Sequence, residues 1–187
     1  MDQVRRLEPL LPLALVTFAL ALLVTLSRTW SRTRRGAPFG QALSASLVEV
    51  LLISSLVLVV ILLLGPARTP PGRRLDLIPF RELQPHGFDR RSALFEMGGN
   101  LLLFVPLAFL TALRFPALRS WRIVLALGLG LSLLLEGLQF VLNSGREASV
   151  TDVLLNTLGS LLGYALFLVA VGGRARRRTR DLAARDL

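Results

Sequence analysis

The stretch "SLLLEGLQFVLNSGREASVTDVLLNTLGSLLG", residues 132–163, sets Glu136, Gln139, Asn143, Arg146, Asp152 and Asn156 in and between two strongly apolar runs. Carboxylate and amide residues three or four apart share one face of a helix. On the first run the face reads Gly128, Ser132, Glu136, Gln139, Asn143; on the second it reads Asp152, Asn156, Gly159, Gly163. A charged Glu deep in an apolar helix is unfavourable by about 2.5–3.5 kcal/mol, so it needs a partner, a proton or water. Arg146 is the nearest cation in sequence, and Asn143 and Asn156 supply amide donors. Asp152 is placed either to share Arg146 or to cap the second run, since an acidic residue at a helix start is favourable. A set of this kind can do ligand chemistry. The planar guanidinium of Arg146 suits a phosphate or carboxylate, and Glu136 can accept a proton or hydrogen bonds from hydroxyls or amides. Intramembrane ionisable groups are usually functional; the competing reading is a network that only pins helices together.

The elements that would position these groups are five apolar runs. They cover roughly 10–26, 43–64, 98–113, 121–142 and 150–171. A span needs ~20 apolar residues, so the third run, with roughly 16 residues and Pro106 inside it, is the weakest. The expected fold is an all-α polytopic integral membrane protein with about five transmembrane helices. Residues 1–42 form an N-terminal helix and basic loop, 43–172 the main membrane domain, and 173–187 a basic tail. A tight loop near residue 147 makes runs four and five a hairpin, in which symmetry puts Asn156 level with residue 138 and Gly159 with residue 135. Gly159 and Gly163 are then packing residues that let these two helices approach closely. Asn100, expected at the start of run three, either joins the polar site or caps its helix. Glu49, near Ser46 in run two, is expected to belong to no common site and to be water-facing or amide-paired.

Composition excludes several classes. The chain of 187 residues is 53% hydrophobic and only 18% charged. Its net charge is +10, and every basic residue is Arg. The arginines sit in short blocks at the ends of apolar runs, where anionic headgroups would meet them, and form no basic face with aromatic platforms, so a nucleic-acid partner is not expected. There is no cysteine and one histidine, His86, in a Pro/Gly-rich loop, so neither a metal nor another cofactor is expected. The arginine bias places the loop after run three and the C-terminus in the cytoplasm, with the N-terminus and the 66–97 and 143–149 loops outside. Within the long loop, "LDLIPF" is apolar enough to lie at the membrane interface.

The ordered set Asn100-Leu-Leu-Leu-Phe104-Val-Pro106, Glu136-x-x-Gln139, Arg146 with Asp152 six later, and Asn156-x-x-Gly159 with Gly163 resembles the VanZ family. Leu77 to Phe80 resembles that family's upstream segment. The sequence departs from the family pattern at Ala108, where Gly is common, and between Glu147 and Thr151, which holds fewer acidic residues; both departures weigh against a cation site. The resemblance implies an association with low-level resistance to teicoplanin and related lipid-bearing antibiotics of the cell envelope. The expected function is therefore a cell-membrane protein whose outward-facing polar pocket, built from Asn100, Glu136, Gln139, Arg146, Asp152 and Asn156, engages an envelope lipid, a lipid-linked cell-wall precursor or a lipoglycopeptide. The alternative is a membrane-embedded enzyme acting on a lipid-linked cell-wall intermediate, with Glu136 or Asp152 as general base. A transporter or a pure assembly partner is a further possibility. Residue types alone leave open whether there is turnover, and the oligomeric state.

Overall fold

The computed structural model describes residues 10–64, 74–83, 90–142 and 147–183. Five helices carry the fold: α1 (Leu10–Arg34), α2 (Phe39–Leu64), α3 (Arg90–Arg114), α4 (Trp121–Leu142) and α5 (Val150–Ala183). Two three-residue strands, β1 (Arg74–Asp76) and β2 (Glu147–Ser149), pair in parallel, Arg74 opposite Glu147 and Asp76 opposite Ser149. The fold is all-α apart from this pair. Among the described residues four helices are long and apolar enough to cross a membrane: Phe39–Leu64, Arg91–Arg114, Trp121–Leu142 and Val150–Gly172.

Three helices run past their expected bounds: α5 continues beyond 171 to Ala183, and α1 and α3 are extended as well. The first run does not end near Leu26 in a basic loop; α1 continues through Arg28, Arg32 and Arg34. Arginine is a good helix former, so loss of hydropathy does not end the helix. Gly36 ends it, at φ +89. Gly36 N–H donates to Thr33 O (3.0 Å) and Ala37 N–H to Arg32 O (3.1 Å), a pairing that closes a helix through a left-handed glycine. The third run is also longer than its hydropathy suggests, because α3 begins at Arg90. Asn100 therefore lies inside α3 rather than at its start. Pro106 is accommodated within the helix, as neighbouring helices can allow in a membrane.

The chain forms two compact units, Met1–Ile53 and Ser54–Leu187. In the first, α1 and the start of α2 make a helical hairpin around buried Thr25, Thr29, Ala42, Ser46 and Glu49. In the second, α3 and α5 pack backbone against backbone. A Cβ on Gly159 would collide with the carbonyl of Leu101, and one on Gly163 with the carbonyl of Val105. The glycines thus set α5 against α3, not against α4 as the hairpin argument expects. The small residue that brings α4 to α5 is Gly128, where a Cβ would lie 2.7 Å from Ser160 Cβ. At the other end of the unit, Arg119 donates to Ala112 O (2.9 Å), covers the ring of Phe167, and accepts at its own carbonyl from Tyr164 Oη (3.0 Å). That side chain ties the end of α3 to α5.

Candidate functional site

The polar stripe of α4 faces the protein interior, with Gly128, Ser132, Leu135, Glu136 and Gln139 all buried. Glu136 is held by a main-chain donor: Ser149 N–H reaches its Oε2 at 2.9 Å. That donor is available because residues 147–149 are extended and pair with β1. Ser149 is also the residue before α5, and its Oγ accepts from Thr151 N at 3.1 Å, the usual role of serine at a helix start. Thr151 Oγ1 in turn accepts from Phe80 N at 2.8 Å. Asp76, opposite Ser149, accepts from Ile78 N at 3.0 Å through Oδ1, which lies 3.6 Å from Arg81 Nη1.

Three further contacts complete the cluster. Asn100 Nδ2 on α3 donates to Asp152 Oδ1 in the first turn of α5. Gln139 Nε2 donates to the carbonyl of Leu63 at the end of α2, 2.6 Å away. Asn156 Nδ2 donates to Ser132 Oγ at 2.9 Å, and Ser160 Oγ donates to Asn156 O at 3.0 Å. Ser132 and Asn156 are fully buried, and Gln139 is 1% exposed.

The register of the hairpin differs from the symmetric expectation. Asn156 lies beside Ser132, not level with residue 138, and Ser160 lies beside Gly128. An extended residue advances about 3.3 Å along the chain against 1.5 Å in a helix. Strand β2 therefore carries α5 deeper before the helix begins. The cluster is consequently layered: Asp76, Ser149 and Thr151 at the strand end, Glu136 beneath them, and the Ser132–Asn156 pair a turn further along α4. Of the expected site residues, Asn100 and Asp152 meet each other, and Asn156, expected as an amide donor to Glu136, donates to Ser132 instead. Glu136 is met by Ser149 N–H. Arg146 and Asn143 lie outside the described residues.

Among the described residues, two acceptors in the cluster have no donor. Gln139 Oε1 and Asn156 Oδ1 are inaccessible and have no hydrogen-bond partner among the described residues. The Gln139 amide cannot simply be turned round, because the Leu63 carbonyl only accepts and so requires the NH2 group. A buried acceptor without a donor costs about 1–3 kcal/mol, and such groups are few in native interiors. The described part of the cluster therefore offers two amide oxygens as acceptors, beside the carboxylates of Glu136 and Asp152. Its chemical complement is a group rich in N–H or O–H donors. Among the described residues no cluster of three or more His, Cys, Asp or Glu is placed to hold a metal ion.

Glu49 departs from its expected surroundings. It is neither water-facing nor amide-paired; Arg28 Nη1 meets its Oε2, and Arg32 Nη2 meets its Oε1 at 2.7 Å. Arg32 also donates to Ser46 Oγ. The reason is the extension of α1, which carries both arginines alongside α2.

The sequence reading passed over Asp76, Ser149, Thr151 and the Leu63 carbonyl. Ser149-x-x-Asp152 directly before an apolar run is a helix-start signature and pointed to Ser149 and Asp152. No local signal pairs β1 with β2 across so long a separation, so Asp76 was not legible. The Leu63 contact is made by a main-chain carbonyl and has no side-chain signature.

Neither a curated protein nor a solved structure matches this chain. The profile of one family, VanZ/LLP1, matches residues 50–171. That range is more than half of the chain and contains the whole cluster, from Leu63 and Asp76 through Asn100, Glu136, Gln139 and Ser149 to Asp152 and Asn156. The chain belongs to the VanZ/LLP1 family.

Proposed function

We propose that this VanZ-like membrane protein uses the α3–α4–α5 polar cluster to engage a lipid-anchored envelope ligand, either an envelope lipid or a lipophilic glycopeptide, and so contributes to low-level antibiotic tolerance. The observation that carries the reading is the pair of buried oxygens of Gln139 and Asn156, which have no donor among the described residues, beside the Glu136 carboxylate. Sugars, amides and ammonium groups supply such donors. Asp152 is the half-buried member of the cluster, so the ligand's polar head approaches from that edge, with Arg146 taking any anionic group it carries. The arginine asymmetry favours an orientation with this edge outside and the C-terminus in the cytoplasm.

The test is expression in a sensitive Gram-positive host. Tolerance to teicoplanin, which bears a lipid tail, rises modestly, while tolerance to vancomycin, which lacks one, changes little. Glu136→Gln, Arg146→Ala and Asn156→Ala each abolish the effect at normal membrane level. Protection by all three variants equal to that of the unmodified protein would reduce the stripe to helix packing. Orientation is tested separately. The chain has no cysteine, so Ser144→Cys and His86→Cys report cleanly and react with an impermeant thiol reagent in intact cells, whereas Ser120→Cys reacts only after permeabilisation. The opposite pattern moves the cluster to the cytoplasmic leaflet.

A second reading is favoured by one feature. Two carboxylates on adjacent helices are each oriented by a hydrogen-bond donor, Glu136 by Ser149 N–H and Asp152 by Asn100. That arrangement suits a general acid–base pair acting on a lipid-linked cell-wall intermediate. Turnover of such a lipid by purified protein, lost in Glu136→Gln, would favour the enzyme; saturable binding without turnover favours the first reading.

A further inference from the structure

Residues 75–83 present an apolar surface that no helix explains. Leu75, Leu77, Ile78, Phe80 and Leu83 all point outward, with Leu77 64% and Ile78 50% exposed. A contiguous group of large apolar side chains on one short loop marks a protein or membrane contact. The main chain of the same loop fits burial away from water, and the arginines that flank it favour lipid. Ile78 N–H donates to Asp76 Oδ1, Phe80 N–H to Thr151 Oγ1 and Leu83 N–H to Phe80 O, at 3.0, 2.8 and 3.1 Å. Pro79 has no N–H to satisfy. A loop in water can leave such donors to solvent, whereas backbone entering lipid must find its partners within the protein.

Phe80 adds a third observation. It adopts φ +57, a left-handed conformation unusual for a bulky residue. Such strain persists only where surrounding structure holds it, and here the Phe80 N–H to Thr151 bond does so. The result is a ring left outward rather than folded against α5. Arg74 and Arg81 flank this apolar apex and are exposed, which suits the phosphates of anionic lipids.

We propose that residues 75–83 form a membrane-inserted loop, with Leu77, Ile78 and Phe80 in the headgroup–acyl boundary of the leaflet and Arg74 and Arg81 at the lipid phosphates. Insertion to that depth is the behaviour of interfacial apolar segments flanked by basic residues. The loop is fastened to the interior. Strand β1 pairs with β2, Ser149 of β2 holds Glu136, and Thr151 holds Phe80. The lipid surface is thereby tied to the buried carboxylate through two short hydrogen-bonded steps. This proposal needs no ligand in the cluster and stands apart from the tolerance reading.

The test uses the full chain, which has no cysteine of its own, in vesicles of phosphatidylcholine with phosphatidylglycerol. An environment-sensitive fluorophore is attached at Ile78→Cys, with Leu77→Cys as a second variant should the first fail to fold. Leu102→Cys, on the exposed apolar face of α3, is the lipid reference, and Ala117→Cys, in the exposed turn after α3, the polar reference. The loop probe is expected to emit blue, to be quenched by shallow nitroxide-labelled lipids as the Leu102 probe is, and to resist aqueous iodide. Quenching by iodide equal to that at Ala117 overturns the proposal. So does blue emission reached by neither quencher, which would place the loop against protein.

Discussion

Among the described residues two carboxylates are buried in apolar helices, Glu49 and Glu136, and the contacts described for them differ in kind. Glu49 is met by the guanidinium groups of Arg28 and Arg32. Glu136 is met by the peptide N–H of Ser149, beside Gln139 and Asn156, whose oxygens have no donor among the described residues. A carboxylate with two cations is electrostatically complete and needs nothing from outside the protein. A carboxylate aligned by a backbone donor is oriented, and the amide oxygens beside it find no donor among the described residues. The first arrangement holds a helical hairpin closed. The second is what a site needs before its ligand arrives, and it is costly in a chain that could have placed leucine there.

The largest expected effect tests the Glu49 side. Arg28→Leu with Arg32→Leu leaves a buried carboxylate without its cations, and breaking a buried pair costs about 3–5 kcal/mol. The double variant should largely disappear from the membrane fraction, and what remains should melt far lower in detergent. Arg32→Leu alone should lose less, because Arg28 still reaches Oε2; Arg28 is half exposed, so solvent screens its own share. Adding Glu49→Leu to the double variant should restore most of the folded protein. A double variant that melts like the unmodified chain would erase the distinction between the two carboxylates.

What the sequence made legible follows from how local each signal is. Hydropathy marks four of the spans, and helical spacing correctly put Ser132, Glu136 and Gln139 on one buried face. Asn100 with Asp152 was also within reach, because both types and both helices were visible. The rest depended on geometry that spacing does not encode. The run of α1 past Leu26 is set by Gly36, which follows the whole arginine block, so hydropathy alone makes Arg28 and Arg32 loop charges and leaves Glu49 solitary. The depth of Asn156 depends on β2 being extended, and β2 is extended because it pairs with a strand far away in sequence. The glycine stripe lies against the backbone of α3, and nothing in one sequence says whether α3 or α4 fills it.

The next effect down concerns that face. Gly159→Leu forces a side chain into the Leu101 carbonyl. Overpacking typically costs about 1–3 kcal/mol and occasionally more, and main chain on the far side gives way poorly. Membrane levels should fall several-fold, with Gly163→Leu similar. Gly137→Leu, where nothing lies within 4 Å of an added Cβ, should express normally. Equal loss at all three positions would mean that the effect comes from glycine in a helix and not from the α3–α5 contact.

Glu136→Gln should be milder still. The amide oxygen can keep the Ser149 N–H, and that bond loses its charge assistance. Hydrogen bonds to charged groups contribute about 1.5–3 kcal/mol against about 0.5–1.5 for neutral ones, so the drop should be about 1 kcal/mol. Thermal melts in detergent measure it. A drop as large as that of the arginine double variant would make Glu136 a structural ion like Glu49.

The smallest effect on stability falls on Gln139, and it is the sharpest probe of the comparison. Gln139→Met keeps the length of the side chain and removes both its polar atoms. Losing Nε2 strips a donor from the Leu63 carbonyl, one of the last carbonyls of α2 and so without a partner in its own helix. Losing Oε1 removes a buried acceptor that has no donor among the described residues. Each change carries about 1–3 kcal/mol, and the signs are opposite. The net change in stability should therefore lie within about 1 kcal/mol of zero, readable as a nearly unmoved detergent melt. If Oε1 is the acceptor that a ligand's N–H or O–H group completes, ligand-dependent tolerance should nevertheless collapse at unchanged membrane level. A stable protein that keeps its tolerance would remove Gln139 from the site. A protein that loses several kcal/mol would show that the amide is fastened into the fold as firmly as Glu49 is, and the contrast between the two carboxylates would then rest on Asn156 alone.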